Sequence, residues 1–175
     1  VANPNDVNDI VSGMLLGSPA KAAEIALSVI EAAPESAAEV TVSMATTAPE
    51  LATEIAAEIV SQNPDLLGEV ASAMFVVIPD QVEETIISLI NLNNEFISEL
   101  AEESLSFNNI SPIVFDTILD ISPESSSILT NNLMNSLNEE EAGVFIENLF
   151  EFNDVGAAEI IQNLITTDIS FASSV

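Results

Sequence analysis

Apolar and polar residues alternate along this chain with a period of 15. With Asn3 as position zero, the mark that opens each unit recurs as Asn3, Ser18, Ala33, Ala48, Asn63, Ile78, Asn93, Asn108, Pro123, Asn138, Asn153 and Asp168. Position seven is then Ile10, Ile25, Val40, Ile55, Val70, Thr85, Leu100, Phe115, Thr130, Phe145 and Ile160. Position eleven is Met14, Val29, Met44, Ile59, Met74, Leu89, Ser104, Leu119, Met134, Leu149 and Leu164. Positions four, eight and twelve are mostly apolar as well, so each unit reads i, i+3, i+4, i+7, i+8, the stripe of an amphipathic helix.

Pro4, Pro19, Pro34, Pro49, Pro64 and Pro79 follow the first six marks. Proline suits a first helical position, where its missing N–H has no intrahelical partner, and it drives the residue before it out of the α region. One continuous helix is excluded, because each interior proline costs about 3 kcal/mol. Asn3, Ser18, Asn63, Asn93, Asn138 and Asn153 carry side-chain oxygens suited to N-caps. The expected fold is all-α: a tandem array of about eleven short antiparallel helices, stacked as an α-solenoid or compact superhelix. Helices of about 11 or 12 residues alternate with turns of about three. The array forms one domain over residues 1–175, with units from 3 to 167 and a tail at 168–175.

The register is disturbed once, over 109–124, where Ser111–Pro112 and Ser122–Pro123 both read as helix starts, and it returns by Asn138. The filling changes along the chain too. Alanine is frequent up to Ala73, whereas seven of the eight phenylalanines follow Phe75. Small residues allow close helix approach, so the array is expected to be uneven in thickness.

Two phrases, Pro34-Glu35-Ser36-Ala37-Ala38-Glu39-Val40 and Pro49-Glu50-Leu51-Ala52-Thr53-Glu54-Ile55, resemble the P-E-x-A-A-E-hydrophobic repeats of the superhelical N-terminal domain of bacterial magnesium transporters and of related flagellar-switch repeats. The resemblance covers about Pro19 to Ile78 and fades after Asn93. It implies short antiparallel helices in a superhelix with an acidic surface that meets divalent cations. The chain lacks that family's basic residues and transport domain, so regulation of transport does not carry over.

Composition narrows the function. Asp and Glu number 29 against one base, Lys21, for a formal charge of −28. That balance argues against nucleic acid and against anionic membranes, both of which recruit Lys and Arg. Histidine and cysteine are absent, which removes thiol chemistry, disulfides and Cys/His zinc sites. The apolar run from Val70 to Ile78 is too short to span a bilayer. A chain opening at Val1 without methionine reads as a mature form released from an exported precursor, or as an excised fragment. The scarcity of Lys and Arg suits an extracellular life among proteases.

Position six carries a ladder of carboxylates, Asp9, Glu24, Glu39, Glu54, Glu69, Glu84, Glu99 and later Glu159. The ladder reads either as a weak Ca²⁺ or Mg²⁺ row or as the solvated side of each helix. Helices packed about 8–10 Å apart cannot bring single carboxylates into one tight shell. Position two is acidic at Glu35, Glu50, Asp65, Asp80 and Glu95, a first-turn location favoured by the helix dipole. These acids lie four residues before the ladder, and such like-charge pairs favour cation or pH sensitivity. The cluster Asn3, Asn5, Asp6, Asn8 and Asp9 does not match EF-hand spacing, and Glu139-Glu140-Glu141 reads as a charged first turn. Asp116 and Asp120 fall at nominally apolar positions eight and twelve, which a phase slip would return to solvent. Lys21 is expected to pair with Glu24.

Several units carry apolar residues beyond one stripe, among them Val76, Val77 and Ile78, and Ile86, Ile87, Leu89 and Ile90. Together these features predict a secreted, non-enzymatic structural subunit that self-associates as a filament, sheath or surface layer, without a required cofactor. The alternatives are a monomeric solenoid that binds a basic or apolar peptide, and an acidic cation-binding or mineral-associated protein.

Overall fold

The computed structural model describes residues 4–18 and 21–167. Asn3, Pro19 and the tail from Asp168 lie outside the described residues, as do the side chains of Asn5, Asp6 and Asn8. Every regular element among the described residues is helical, and the chain divides into two compact units, Val1–Asn93 and Asn94–Val175. The first holds α1 (Pro4–Gly17), α2 (Ala22–Ala32), α3 (Ala37–Thr47), α4 (Ala52–Gln62), α5 (Leu67–Val77) and α6 (Val82–Leu92). The second holds α7 (Phe96–Ser104), α8 (Ser111–Ile121), α9 (Ser126–Ser136), α10 (Glu139–Phe150) and α11 (Asp154–Thr167).

The 15-residue period has a local physical origin. An 11-residue α-helix, one joint residue and a three-residue 3-10 turn make up one repeat, as in Pro34–Ser36 followed by α3 and the joint at Ala48. The prolines open the 3-10 turn, and the α-helix starts three residues later. At each joint a pair of backbone hydrogen bonds links the two helices. The N–H of Ala48 closes α3 onto Met44 O at 2.8 Å, while its carbonyl accepts the Leu51 N–H at 2.9 Å. Ala33, Asn63, Ile78 and Ser122 do the same with φ between −133 and −150° and ψ between 64 and 79°. The following proline enforces that non-α geometry. Because no side chain is needed, Asn63 makes no side-chain cap, contrary to expectation. Capping by asparagine occurs later. Asn138 forms a reciprocal capping box with Glu141, both bonds 3.0 Å, and Asn153 Oδ1 accepts the Gly156 N–H at 2.7 Å.

Within the first unit the helices form two rows, α1, α3 and α5 in one and α2, α4 and α6 in the other. Each helix lies along the next but one and meets its sequence neighbour across the rows. Helices within a row run parallel, because contacting positions advance together. Pro49 O accepts from Gln81 Nε2 at 3.2 Å, and Thr53 Oγ1 lies 3.3 Å from Thr85 Oγ1. In the other row, Ser12 Oγ is 2.8 Å from Ser43 Oγ and accepts from Thr47 at 3.2 Å. The core between rows is small and aliphatic, with Ala26, Ala37, Ala56, Val60, Leu67 and Ala71 buried. The Val82–Leu92 stripe is spent on it too: Ile86, Leu89 and Ile90 are buried, not spare, with Ile87 half-buried.

The second unit repeats the scheme with α7, α9 and α11 in one row and α8 and α10 in the other. Ser98 and Asn132 join α7 to α9, with Asn132 Nδ2 donating to Ser98 O at 2.6 Å. Asn163 Nδ2 donates to Ser126 Oγ at 3.3 Å between α11 and α9. Larger side chains fill this core: the rings of Phe115 and Phe145 meet edge to face at 4.7 Å. The expected disturbance falls where the register slips. α7 stops after nine residues, residues 105–110 turn through bonds such as Phe107 N–H to Ser104 O at 2.8 Å, and α8 begins at Ser111.

Position seven is buried in ten of the eleven units. Ile10 is the exception, at 56% exposure. Α-helix α1 also leaves Met14 at 46%, whereas Met44 and Met74 at the same repeat position are each 1% exposed.

Candidate functional site

The carboxylate ladder sits one residue at a time on successive helices. Glu24, Glu39, Glu54, Glu69 and Glu84 all fall in the first turn of an α-helix, where the exposed N–H groups favour a negative charge by about 0.3–1 kcal/mol. Glu99 occupies the same place in α7, and Asp9 lies further along α1. Glu39 is half-buried and the others are exposed. Glu35, Glu50, Asp65 and Asp80 are the second residues of the preceding 3-10 turns, so both members of each like-charge pair lie at the positive end of the unit. Among the described residues, no group of three or more acidic side chains converges to hold a metal ion.

Asp116 and Asp120 are brought together by the early start of α8. Counted from Ser111 they occupy positions five and nine, on the side of the helix that meets the later part of the unit. Asn153 Nδ2 donates to Asp116 Oδ1 at 3.0 Å and lies 3.4 Å from Asp120 Oδ1. The expected return to solvent holds for Asp120, while Asp116 remains half-buried. Asn153 thus caps α11 with its oxygen and ties α8 with its amide. Gly156 sits beneath it because a Cβ there would lie 2.5 Å from Leu119 Cδ1 and 3.0 Å from Asn153 Oδ1. This is a structural clasp, and the sequence concealed it by placing its members in two units three repeats apart.

Glu124 has a shifted acidity. Its own backbone N–H, and then the Ser122 hydroxyl, hold it below the ordinary glutamate range. Lys21 pairs with Glu24 as expected, at 3.7 Å and exposed.

Grooves are shallow. One of about 580 Å³ lies between the 105–111 connection and the start of α10, floored by Leu105, Leu137 and Val144 and rimmed by Glu140 and Glu141. Another of about 450 Å³ opens between α1 and α2, with Met14 and Ile25 as its apolar part and Lys21 and Glu24 beside them. No helix among the described residues is long and apolar enough to cross a membrane.

Apolar exposure is the most unevenly distributed property of the surface. Of the twelve large apolar side chains exposed among the described residues, eight belong to α1 or to the segment from α10 to α11. They are Ile10, Met14 and Leu16 on α1, and Val144, Phe150, Phe152, Val155 and Ile165 in the segment from α10 to α11. The fold and these surfaces define an acidic all-α repeat protein with apolar terminal helices. Comparison with protein-family models, with characterised proteins and with solved structures finds no match.

Proposed function

We propose that this chain is a secreted, non-enzymatic structural subunit that assembles with copies of itself into a filament, sheath or layer. The observation that carries this reading is the gathering of exposed apolar side chains on α1 and on the segment from α10 to α11. Interior repeats hide the counterparts of Ile10 and Met14, such as Val40 and Met44, against their neighbours, so a repeat surface left open on α1 is a template for further stacking. Burying one such side chain on assembly contributes about 1.5–3 kcal/mol, so a few of them outweigh the loss of freedom on weak association.

The remaining surface opposes assembly until it is screened. A charge of −28 repels identical copies at low ionic strength. Salt shortens that repulsion to about 8–10 Å, and divalent cations or mild acid reduce it further. The carboxylate ladder Asp9, Glu24, Glu39, Glu54, Glu69, Glu84 and Glu99 serves in this reading as a diffuse cation-responsive face rather than a chelating site. An extracellular setting agrees with a single basic residue, which leaves one cleavage point for trypsin-like proteases.

Negative-stain electron microscopy of the purified chain across a salt and Ca²⁺ series tests the proposal. Extended or sheet-like polymers that appear as salt rises are expected. Dispersed single particles under every condition would overturn it.

A further inference from the structure

Met14, Met44 and Met74 stand 30 residues apart, as do Ile10, Val40 and Val70. On α3 and α5 both members of each pair are at most 1% exposed, and they lie on the side that meets the preceding helix of the row. Ser43 and Thr47 mark that side on α3 by reaching Ser12 of α1. On α1 the same side meets no helix among the described residues, and Ile10 and Met14 are 56% and 46% exposed. The counterparts of Ser43 and Thr47 there are Gly13 and Gly17, and a Cβ on either would meet nothing within 4 Å. A mid-helix glycine at position 13 costs about 1 kcal/mol relative to alanine and relieves no crowding inside the unit. It does leave the α1 backbone open to close approach by another helix.

The same contact also has an unfilled second half. The side of α1 that receives α3 is marked by Ser12, at position nine, and on α7 the side that receives α9 is marked by Ser98, at position five, which meets Asn132. On α11 the corresponding stripe is Ala158, Gln162 and Ile165, all exposed, with Val155 beside it at 66%. Charge runs in the same sense. Lys21, the only base of the chain, lines the groove next to Met14, whereas α11 carries Asp154 and Glu159.

We propose that the exposed side of α1 is filled by α11 of a second copy of this chain, reproducing between molecules the contact that α1 makes with α3 and α3 with α5. Such a contact is heterologous, so every bound copy presents a fresh α1 face and growth continues unless a ring closes. The assignment rests on the self-assembly reading and adds to it the two surfaces and their polarity.

Two full-length double variants test it beside the wild type. I10E with M14E blocks the α1 face, and V155E with I165E blocks the α11 face. All four sites are exposed, so circular dichroism and urea unfolding should match the wild type at a concentration where that chain is monomeric. By sedimentation velocity in screening salt, the wild type should polymerise and each variant alone should stay at 18.5 kDa. An equimolar mixture should form a discrete dimer of about twice that mass, because one free face of each kind remains. Polymers from either variant alone would overturn these surfaces while leaving self-assembly intact. Two monomeric variants that fail to pair would overturn the head-to-tail polarity. A monomeric wild type leaves the face to a further repeat or a foreign partner, and overturns both readings.

Discussion

Truncating the three methionines of one repeat position separates the effect of sequence from the effect of place. Met14, Met44 and Met74 share position eleven of odd-numbered helices, yet they are 46%, 1% and 1% exposed. For Met44→Ala and Met74→Ala the whole side chain is lost from a filled site, and the expected cost is about 2–5 kcal/mol, transfer and cavity together. For Met14→Ala about half of the burial term is lost and no closed cavity remains, so the cost is about 1 kcal/mol. Against a total stability of about 5–15 kcal/mol the difference is large. With an m-value of about 1–3 kcal/mol/M in urea, the buried variants should lose about 1–3 M in midpoint and Met14→Ala well under 1 M. Urea unfolding followed by circular dichroism, at micromolar protein and low salt to suppress association, reads this directly. Equal losses at all three sites would refute the row arrangement, because they would require α1 to be covered as α3 and α5 are.

Other substitutions probe the local devices. Gly156→Ala must displace Leu119 and strain the Asn153 cap, and a cost of about 1–3 kcal/mol by thermal or urea unfolding is expected; a neutral outcome would show that the clasp is loose. Asn138→Ala removes the acceptor of a capping box and should cost about 0.5–2 kcal/mol, with faster amide exchange confined to the start of α10. Glu124 has a folded acidity below its unfolded value, so its contribution to stability is present above the unfolded value and fades as pH falls through the folded one. Ser122→Ala should move the Glu124 titration, followed by NMR at the carboxyl carbon, back toward the ordinary range. An unmoved titration would mean that the Ser122 hydroxyl, 2.9 Å from that of Ser125, is committed there.

The 15-residue interval exposed the helices and their buried stripe because burial at positions seven and eleven follows from helical periodicity alone. Val40, Val70, Leu100 and Ile160 behave as their pattern demands. The 3-10 turns were not legible, since a proline at a first position serves an i+3 bond as well as an i+4 bond. Nor was the joint, because its two bonds are made by backbone and tolerate Ala33, Asn63 and Ile78 alike. Row pairing was hidden for a different reason: a stripe states which side of a helix is covered and says nothing of which helix covers it. The same limit explains Ile10 and Met14, which hold the same repeat positions as Val40 and Met44 while their neighbours differ. The surfaces most useful for function were therefore visible only as a departure from a rule the sequence itself established.

Self-assembly is tested most directly by the molar mass of the wild-type chain, measured by light scattering as concentration rises at low and at moderate salt. The account predicts a mass near 18.5 kDa at low salt and a mass that climbs with concentration, without levelling at a fixed oligomer, once the acidic surface is screened. A mass that stays at 18.5 kDa throughout, with Ca²⁺ present or absent, would contradict it.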